Sequence, residues 1–369
     1  MSGVELEIQL LAVTVGVACA LPGVFLVLRR MALMSDAISH TVLLGIVVAF
    51  FIVEDLTSPV LILGAAATGV LTVALVESIR GTGLVREDAA IGLVFPALFS
   101  IAVILITRFA GDVHLDTDAV LLGELALAPF RRLEIGGLDV GPRALWVMLG
   151  ILALNVAFLA AFYKELKLST FDASLAAALG FSPVLVHYAF MGVVSVTAVG
   201  AFDSVGSILV VAFMIVPPAA AYLLSDRLGR VIWLSALLGA LSAVSGYWLA
   251  RWLDASIAGS MAGAAGALFG LVLLFAPERG LIALARRRAR QRVEFTRQML
   301  AIHLLHHEGT PAAAEESRLD HLSEHLRWTP IQAERIVDAA RRAGLVTLDD
   351  ERLHLTEAGR SEARKAMLR

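Results

Sequence analysis

Residues 8–30 read IQLLAVTVGVACALPGVFLVLRR, an uncharged run from Ile8 to Leu28 that stops at Arg29-Arg30. A helix rises ~1.5 Å per residue, so about 20 apolar residues cross the ~30 Å of hydrocarbon in a bilayer. Inside hydrocarbon every backbone N–H and C=O must find its partner within the segment, and for a single run this means an α-helix. Glu5 and Glu7 precede the run and two arginines follow it, the reverse of a secretory leader, even though Ala18-Cys19-Ala20 has the small residues of a cleavage site. The same charge order orients the helix with its N-terminus outside and Arg29-Arg30 in the cytoplasm.

Similar blocks recur at 37–53, 60–79, 89–107, 143–163, 183–200, 204–224, 231–250 and 258–276. With 58% hydrophobic and only 17% charged residues among 369, no ordinary water-facing surface accommodates this chain. The expected fold is an all-α polytopic membrane protein of about nine transmembrane helices. Alternation from the first span places Arg80 and Arg86, Lys164 and Lys167, Arg227 and Arg230, and the run Arg286 to Arg290 on the cytoplasmic side, in agreement with the positive-inside rule. Arg131-Arg132, Arg143 and Arg251 fall outside on this scheme. The 108–142 segment therefore has room for a re-entrant or extra hairpin, and the helix count spans eight to ten. Glu54-Asp55, the acidic stretch Asp112 to Asp118 and Asp254 also fall outside; an acidic mouth concentrates cations, and acidic residues equally serve to solvate a loop. A net charge of -3 implies no polyanion partner, and a single cysteine, Cys19, excludes an intrachain disulfide framework and a thiolate metal cage.

The segment leading into the second span, Arg29 to His40, holds ionisable groups within an apolar context, where they are expensive and mark a site. Asp36 and His40 are four residues apart, on one face of a helix and within reach of one ion. Carboxylate oxygen with imidazole nitrogen suits Mn, Fe or Zn. Measured from Arg30, His40 lies ~15 Å along a helix, close to mid-membrane. Two ligands do not fill a coordination shell, and a homodimer or a paired membrane chain would add another pair. The alternative is that Asp36 caps the second helix and pairs with His40 as a buried polar couple.

Between spans five and six, Ser169 to Gly180 reads as a short alanine-rich helix closed by Gly180 and followed by Ser182-Pro183, shaped either to dock on a cytoplasmic partner or simply to connect. Gly259, Gly263, Gly266 and Gly270 have small-xxx-small spacing and predict close helix packing, and Pro217-Pro218 predict a kink in span seven. No Gly-x-x-x-x-Gly-Lys-Ser/Thr loop occurs, so any ATPase is a separate chain.

From about residue 280 the sequence turns polar. A basic linker at 283–293 leads to a soluble unit, 294–369, with helices at 293–307, 315–326 and 330–342, Gly344 as a stop, and two short strands across 346–355. This order predicts a small winged helix-turn-helix domain. Arg335, Arg341 and Arg342 on its recognition helix are offset by Glu334 and Asp338, so DNA binding lacks the usual basic face. His303, His306, His307, His321, His325 and His354 are possible ligands, with i, i+4 spacing at His303/His307 and His321/His325, or solvated surface residues without a thiolate partner.

Residues 30–50, Arg86 to Gly92, Leu122-Gly123-Glu124, Phe171 to Gly180 and Gly206 to Tyr222 together resemble the manganese/zinc/iron permeases of bacterial ABC importers, the ABC-3 family, over about residues 8–282. The resemblance implies a helical fold related to the cobalamin and siderophore importers (a type II ABC importer-like fold) and a dimeric permease in the inner membrane. It also implies a cytoplasmic ATPase, an extracytoplasmic solute-binding protein, and a divalent metal as cargo with no permanently bound cofactor. The family's metal path falls on Asp36 and His40. Its ATPase-coupling helix falls on Phe171, Asp172, Leu175, Ala177 and Gly180. The permease domain would be 1–282, and 294–369 resembles the winged-helix part of iron- and manganese-dependent repressors. The competing classes are an ATP-independent channel or carrier, a permease for a metal chelate, and a membrane-anchored, metal-responsive DNA-binding regulator. A bare ion suits the Asp36/His40 pair better than a chelate, whose ligands are already filled.

Overall fold

The computed structural model describes residues 3–54, 58, 60–109, 125–135, 138–318, 321–322, 328–349 and 352–368. They divide into two compact units, Met1–Gly280 and Leu281–Arg369. Leu122-Gly123-Glu124, the acidic stretch 112–118, Asp55 and His325 lie outside the described residues.

Among the described residues of the first unit, nine helical segments are long and apolar enough to cross a bilayer. They are α1 (Gly3–Leu28), α2 (Ala32–Val53), α3 (Val60–Gly81), α4 (Glu87–Phe109), α5 (Arg143–Ala161), two segments of α8 (Pro183–Leu224), α9 (Leu228–Leu253) and α10 (Ile257–Phe275). Between α5 and α8 come the short helices α6 (Tyr163–Phe171) and α7 (Ala173–Ala178). The most deeply buried helix is α1, whose Leu11, Val15, Val24, Phe25 and Leu26 pack into a core shared with Phe190, Leu209 and Phe213 of α8.

The helices approach closely at positions other than those the glycine pattern predicts. A Cβ on Gly16 would lie 2.8 Å from the Gly239 carbonyl oxygen, and one on Gly239 would lie 2.7 Å from that of Gly16, so α1 and α9 meet backbone to backbone. Gly45 and Gly64 do the same for α2 and α3. By contrast, Gly263, Gly266 and Gly270 have no atoms within 4 Å of an added Cβ. Small-xxx-small spacing marks a face that permits contact, and on α10 that face points away from this chain's own core.

Pro217-Pro218 also behave differently from the expectation. Helical dihedrals continue through both, and α8 is interrupted instead at Gly206, with φ 77° and ψ 164°, a conformation only glycine adopts without strain. Pro218 has no N–H to donate to the Met214 carbonyl four residues back. That carbonyl lies against Gly23 of α1, where a Cβ would overlap it.

The sequence allows a re-entrant or extra hairpin within 108–142, and the described part of that segment, just before α5, holds a β-hairpin. Here a 3₁₀ turn (Ala128–Phe130) leads into an antiparallel pair, β1 (Arg132–Ile135) and β2 (Leu138–Pro142). Two of the four arginines that break the positive-inside scheme contact acids: Arg132 of β1 contacts Glu7 at 3.2 Å and also Asp139, and Arg251 of α9 contacts Glu5. Hydrogen bonds from Arg132 and the Gly141 amide hold the Asp139 carboxyl below its ordinary range.

In the second unit, α11 (Leu281–His307) takes in residues 283–293, read from sequence as a linker. It is followed by α12 (Ala313–Glu316), α13 (Pro330–Arg342), β3 (Val346–Asp349), β4 (Arg352–Leu355) and α14 (Glu357–Met367). Thr329 and Gln332 form a capping box at the start of α13, and Gly344, at φ 69°, closes it. The strands pair antiparallel from Val346↔Leu355 to Asp349↔Arg352. Leu300, Leu304, Leu322, Val337, Val346 and Leu353 form the core of this unit.

Candidate functional site

The helix α2 begins at Ala32, five residues before the expected span, with Met31 as N-cap and no side-chain cap. Asp36 is therefore in the second turn and caps nothing, which removes the capping alternative. His40 is about 12 Å from the start of a helix about 33 Å long, nearer its N-terminal third than its middle. The structure brings the two residues together: His40 Nε2 is 3.4 Å from Asp36 Oδ1. Two ligands bonded to one ion at about 2.1 Å in tetrahedral geometry are about 3.4 Å apart, so the pair can chelate without rearrangement. The His40 ring sits beside Phe95 and Phe99 of α4, at 5.8 and 6.1 Å between centroids. The side chains stay 29% and 43% exposed on this chain, so one flank of the pair is open to a further ligand source.

Behind the pair the polar groups are satisfied internally. Ser35 and Ser39 donate to the Ala32 and Ser35 carbonyls, and Thr72 of α3 donates to the Thr41 hydroxyl at 2.8 Å. The Thr72–Thr41 bond ties α2 to α3, the serine bonds stay within α2, and Asp36 and His40 are left as the ionisable groups of the helix.

The residues around α7, which the family resemblance assigns to ATPase coupling, form a second constellation. Asp172 breaks the chain out of α6 with extended dihedrals and caps α7, accepting from the Leu175 amide at 2.9 Å and the Ser174 hydroxyl at 2.6 Å. Those bonds hold its carboxyl below the ordinary range. At the other end Gly180, at φ 88°, and Phe181 donate to the Ala177 and Ala176 carbonyls, a Schellman closure. Ala176 is buried and anchors the helix, Ala177 is exposed, and Phe171, Leu175 and Leu179 are 63%, 46% and 58% exposed. Leu175 and Leu179, four residues apart on the capped α7 and its closing turn, and Phe171, which ends α6 before the break at Asp172, are large apolar side chains left exposed around this element, the form of a docking surface.

A third group escapes sequence reading. Arg29 donates from Nη2 to Ser169 Oγ at 2.9 Å and from Nε to Thr170 Oγ1 at 3.0 Å, fixing the end of α6 immediately before the coupling helix. Its Nη1 is 3.2 Å from His187 Nδ1, and its guanidinium lies 5.1 Å over Phe190. Arginine can only donate, so Nδ1 accepts, and the other ring nitrogen, Nε2, lies 2.8 Å from Glu77 Oε1. The chain α6–Arg29–His187–Glu77 connects the segment before the docking helix to α3, the helix that Thr72 ties to α2. Its only sequence signal is His187 and Glu77 as ionisable groups near the ends of apolar spans.

Comparison with known proteins follows this geometry. The ABC 3 transport family matches residues 6–276. The zinc transport system membrane protein TroD of Treponema pallidum is 48% identical over 358 residues, 97% of either chain, so the similarity includes the second unit. The manganese transport system membrane protein MntD of Bacillus subtilis is 51% identical over 270 residues, 73% of this chain and 91% of that one. The solved structure of PsaBC from Streptococcus pneumoniae in complex with Fab superposes with a TM-score of 0.63 at 29% identity, covering 76% of this chain and 94% of that chain. With the nine-segment bundle and a match over residues 6–276, this chain belongs to the ABC 3 transport family.

Proposed function

We propose that the chain is the membrane-spanning permease subunit of an ATP-binding-cassette importer that admits a divalent transition-metal ion, Mn, Zn or Fe, into the cytoplasm. The observation that carries this reading is the Asp36/His40 pair, a mixed oxygen and nitrogen donor set at ligand spacing on one face of an apolar helix. The relatives support it, each bearing the name of a zinc or manganese transport system membrane protein. None of them supports the DNA-binding regulator reading. The metal at the Asp36/His40 pair is cargo, and the chain performs no hydrolysis.

In this reading the protein is a multi-pass component of the inner membrane with its N-terminus outside. A cytoplasmic ATPase docks on Phe171, Leu175 and Leu179, with Asp172 and Gly180 setting the ends of the docking helix and exposed Ala177 allowing close approach. A second permease copy or a paralogue faces the open flank of the pair and supplies another Asp-His couple, and an extracytoplasmic solute-binding protein delivers the ion. The second unit is cytoplasmic, and its helices and hairpin from 294 to 369 form a winged helix. Its mixed charge argues against DNA as the main ligand.

The test is metal accumulation in whole cells that rely on this chain. His40→Ala and Asp36→Asn, expressed at wild-type levels in the membrane, should each reduce accumulation at least tenfold. Uptake at the wild-type rate in both variants would remove the pair from the path.

A further inference from the structure

Within the second unit, three residues from separate parts of the sequence converge. His303 and His307 are one turn apart on α11, their ring centroids 4.8 Å from each other, and Glu316 ends α12. One ligand atom from each lies within 4.8 Å of the others. The Glu316 side chain is only 10% exposed, and a carboxylate so far from water requires cationic or hydrogen-bonding company. Its Oε2 lies 3.3 Å from His303 Nε2 and 3.5 Å from His321 Nδ1. Both separations exceed the usual N–H···O length of about 2.9–3.0 Å and bracket the ~3.4 Å expected between two ligands of one tetrahedral ion. A cleft of about 320 Å³, lined by His307, Glu316, Ser317 and His354 among others, opens on the cluster and provides a route and room for water ligands.

We propose that His303, His307 and Glu316 form a divalent transition-metal site in the 281–369 unit, separate from the Asp36/His40 pair. Two imidazoles and one carboxylate, without a thiolate, select a borderline ion such as Zn, Co or Fe over Ca or Mg. Binding there ties α11 to α12. That the ion is the same species the permease carries rests on the function proposed above; the existence of the site does not, because all its ligands lie within the second unit.

Full-length protein in detergent, stripped with a chelator and titrated separately with Co(II) and Zn(II), tests this. Wild type and the Asp36→Asn/His40→Ala double variant should both show the visible d–d absorption of near-tetrahedral cobalt, and Zn should displace it. Glu316→Gln/His307→Ala should lose that band and bind one ion fewer per chain by equilibrium dialysis. If this double variant fails to fold, Glu316→Gln alone, which keeps size and polarity, should weaken cobalt binding at least tenfold. Unchanged band and stoichiometry in the Glu316 and His307 variants would overturn the proposal. Loss of the band only in the Asp36/His40 variant would also overturn it, by assigning the ion to the membrane pair. An unchanged tail site alongside normal uptake by the Asp36/His40 variant would instead defeat the transport reading and leave this one standing.

Discussion

Arg30 adopts φ 62°, the left-handed region, where a side chain with a Cβ costs roughly 1–2 kcal/mol. It occupies the closing position of a Schellman motif on α1, with its own N–H on the Val27 carbonyl and that of Met31 on the Leu26 carbonyl. Glycine is the usual occupant. An arginine there supplies positive charge both to the helix C-terminus and to the cytoplasmic rim, and the strain is the cost of that placement. Arg30→Gly should therefore raise the melting temperature in detergent by an amount corresponding to about 1 kcal/mol, and in cells it should weaken the bias toward an outside N-terminus, as read by cysteine accessibility at residue 3. Asp36 and His40 were legible as a pair because four-residue spacing guarantees proximity on a helix. The Arg29, His187 and Glu77 connection was not, because the hydrogen-bond partners of Arg29 lie 140 to 158 residues along the chain and only the packing of α1, α3, α6 and α8 brings these groups together.

At the scale of elements, the spans were legible because hydrophobic length has a fixed physical meaning in a bilayer. Their ends were less so: α2 starts early because Ala32-Leu33-Met34 continue helix readily, a preference that apolarity alone does not report. The basic stretch 283–293 is helical for a similar reason, since arginine and alanine are strong helix formers however polar the run. The short helix before α8 was legible at its Gly180 end; its start was not, since Ser169 to Phe171 belong to α6 and the chain breaks at Asp172, and the structure adds the exposed apolar residues around it. Leu175→Asp changes only that exposed surface, because residue 175 contributes its amide, not its side chain, to the Asp172 cap. The variant should insert at wild-type levels and lose at least tenfold in co-purification with the ATPase chain. In the second unit, Arg360 forks onto Glu308 at 2.8 Å and holds its carboxyl below the ordinary range, joining α14 to the loop after α11. A depressed carboxyl stabilises the fold above the ordinary carboxyl value and loses that contribution as pH falls through the lowered one. Amide exchange in α14 should accelerate in acid, relative to Glu308→Gln, whose exchange should lack that acid-dependent component.

For the whole molecule, two units with separate cores divide the work. The Bacillus relative aligns with 73% of this chain and the Treponema relative with 97%, so the bundle occurs with and without a matching tail. The tail is thus an accessory to a permease that is complete in its spans, and its histidine cluster gives it a means of binding metal on its own. Within the bundle, the open flank of Asp36 and His40, the exposed side of α7 and the outward glycines of α10 are surfaces this chain leaves uncovered by itself, as expected of one subunit in an assembly. The direct measurement is uptake of radiolabelled manganese or zinc into proteoliposomes holding this chain with and without its ATPase chain, with the binding protein supplied outside. The account predicts accumulation that requires both the ATPase and ATP and falls at least tenfold in His40→Ala. Accumulation by this chain alone, or ATP-driven accumulation at the wild-type rate in His40→Ala, would contradict it.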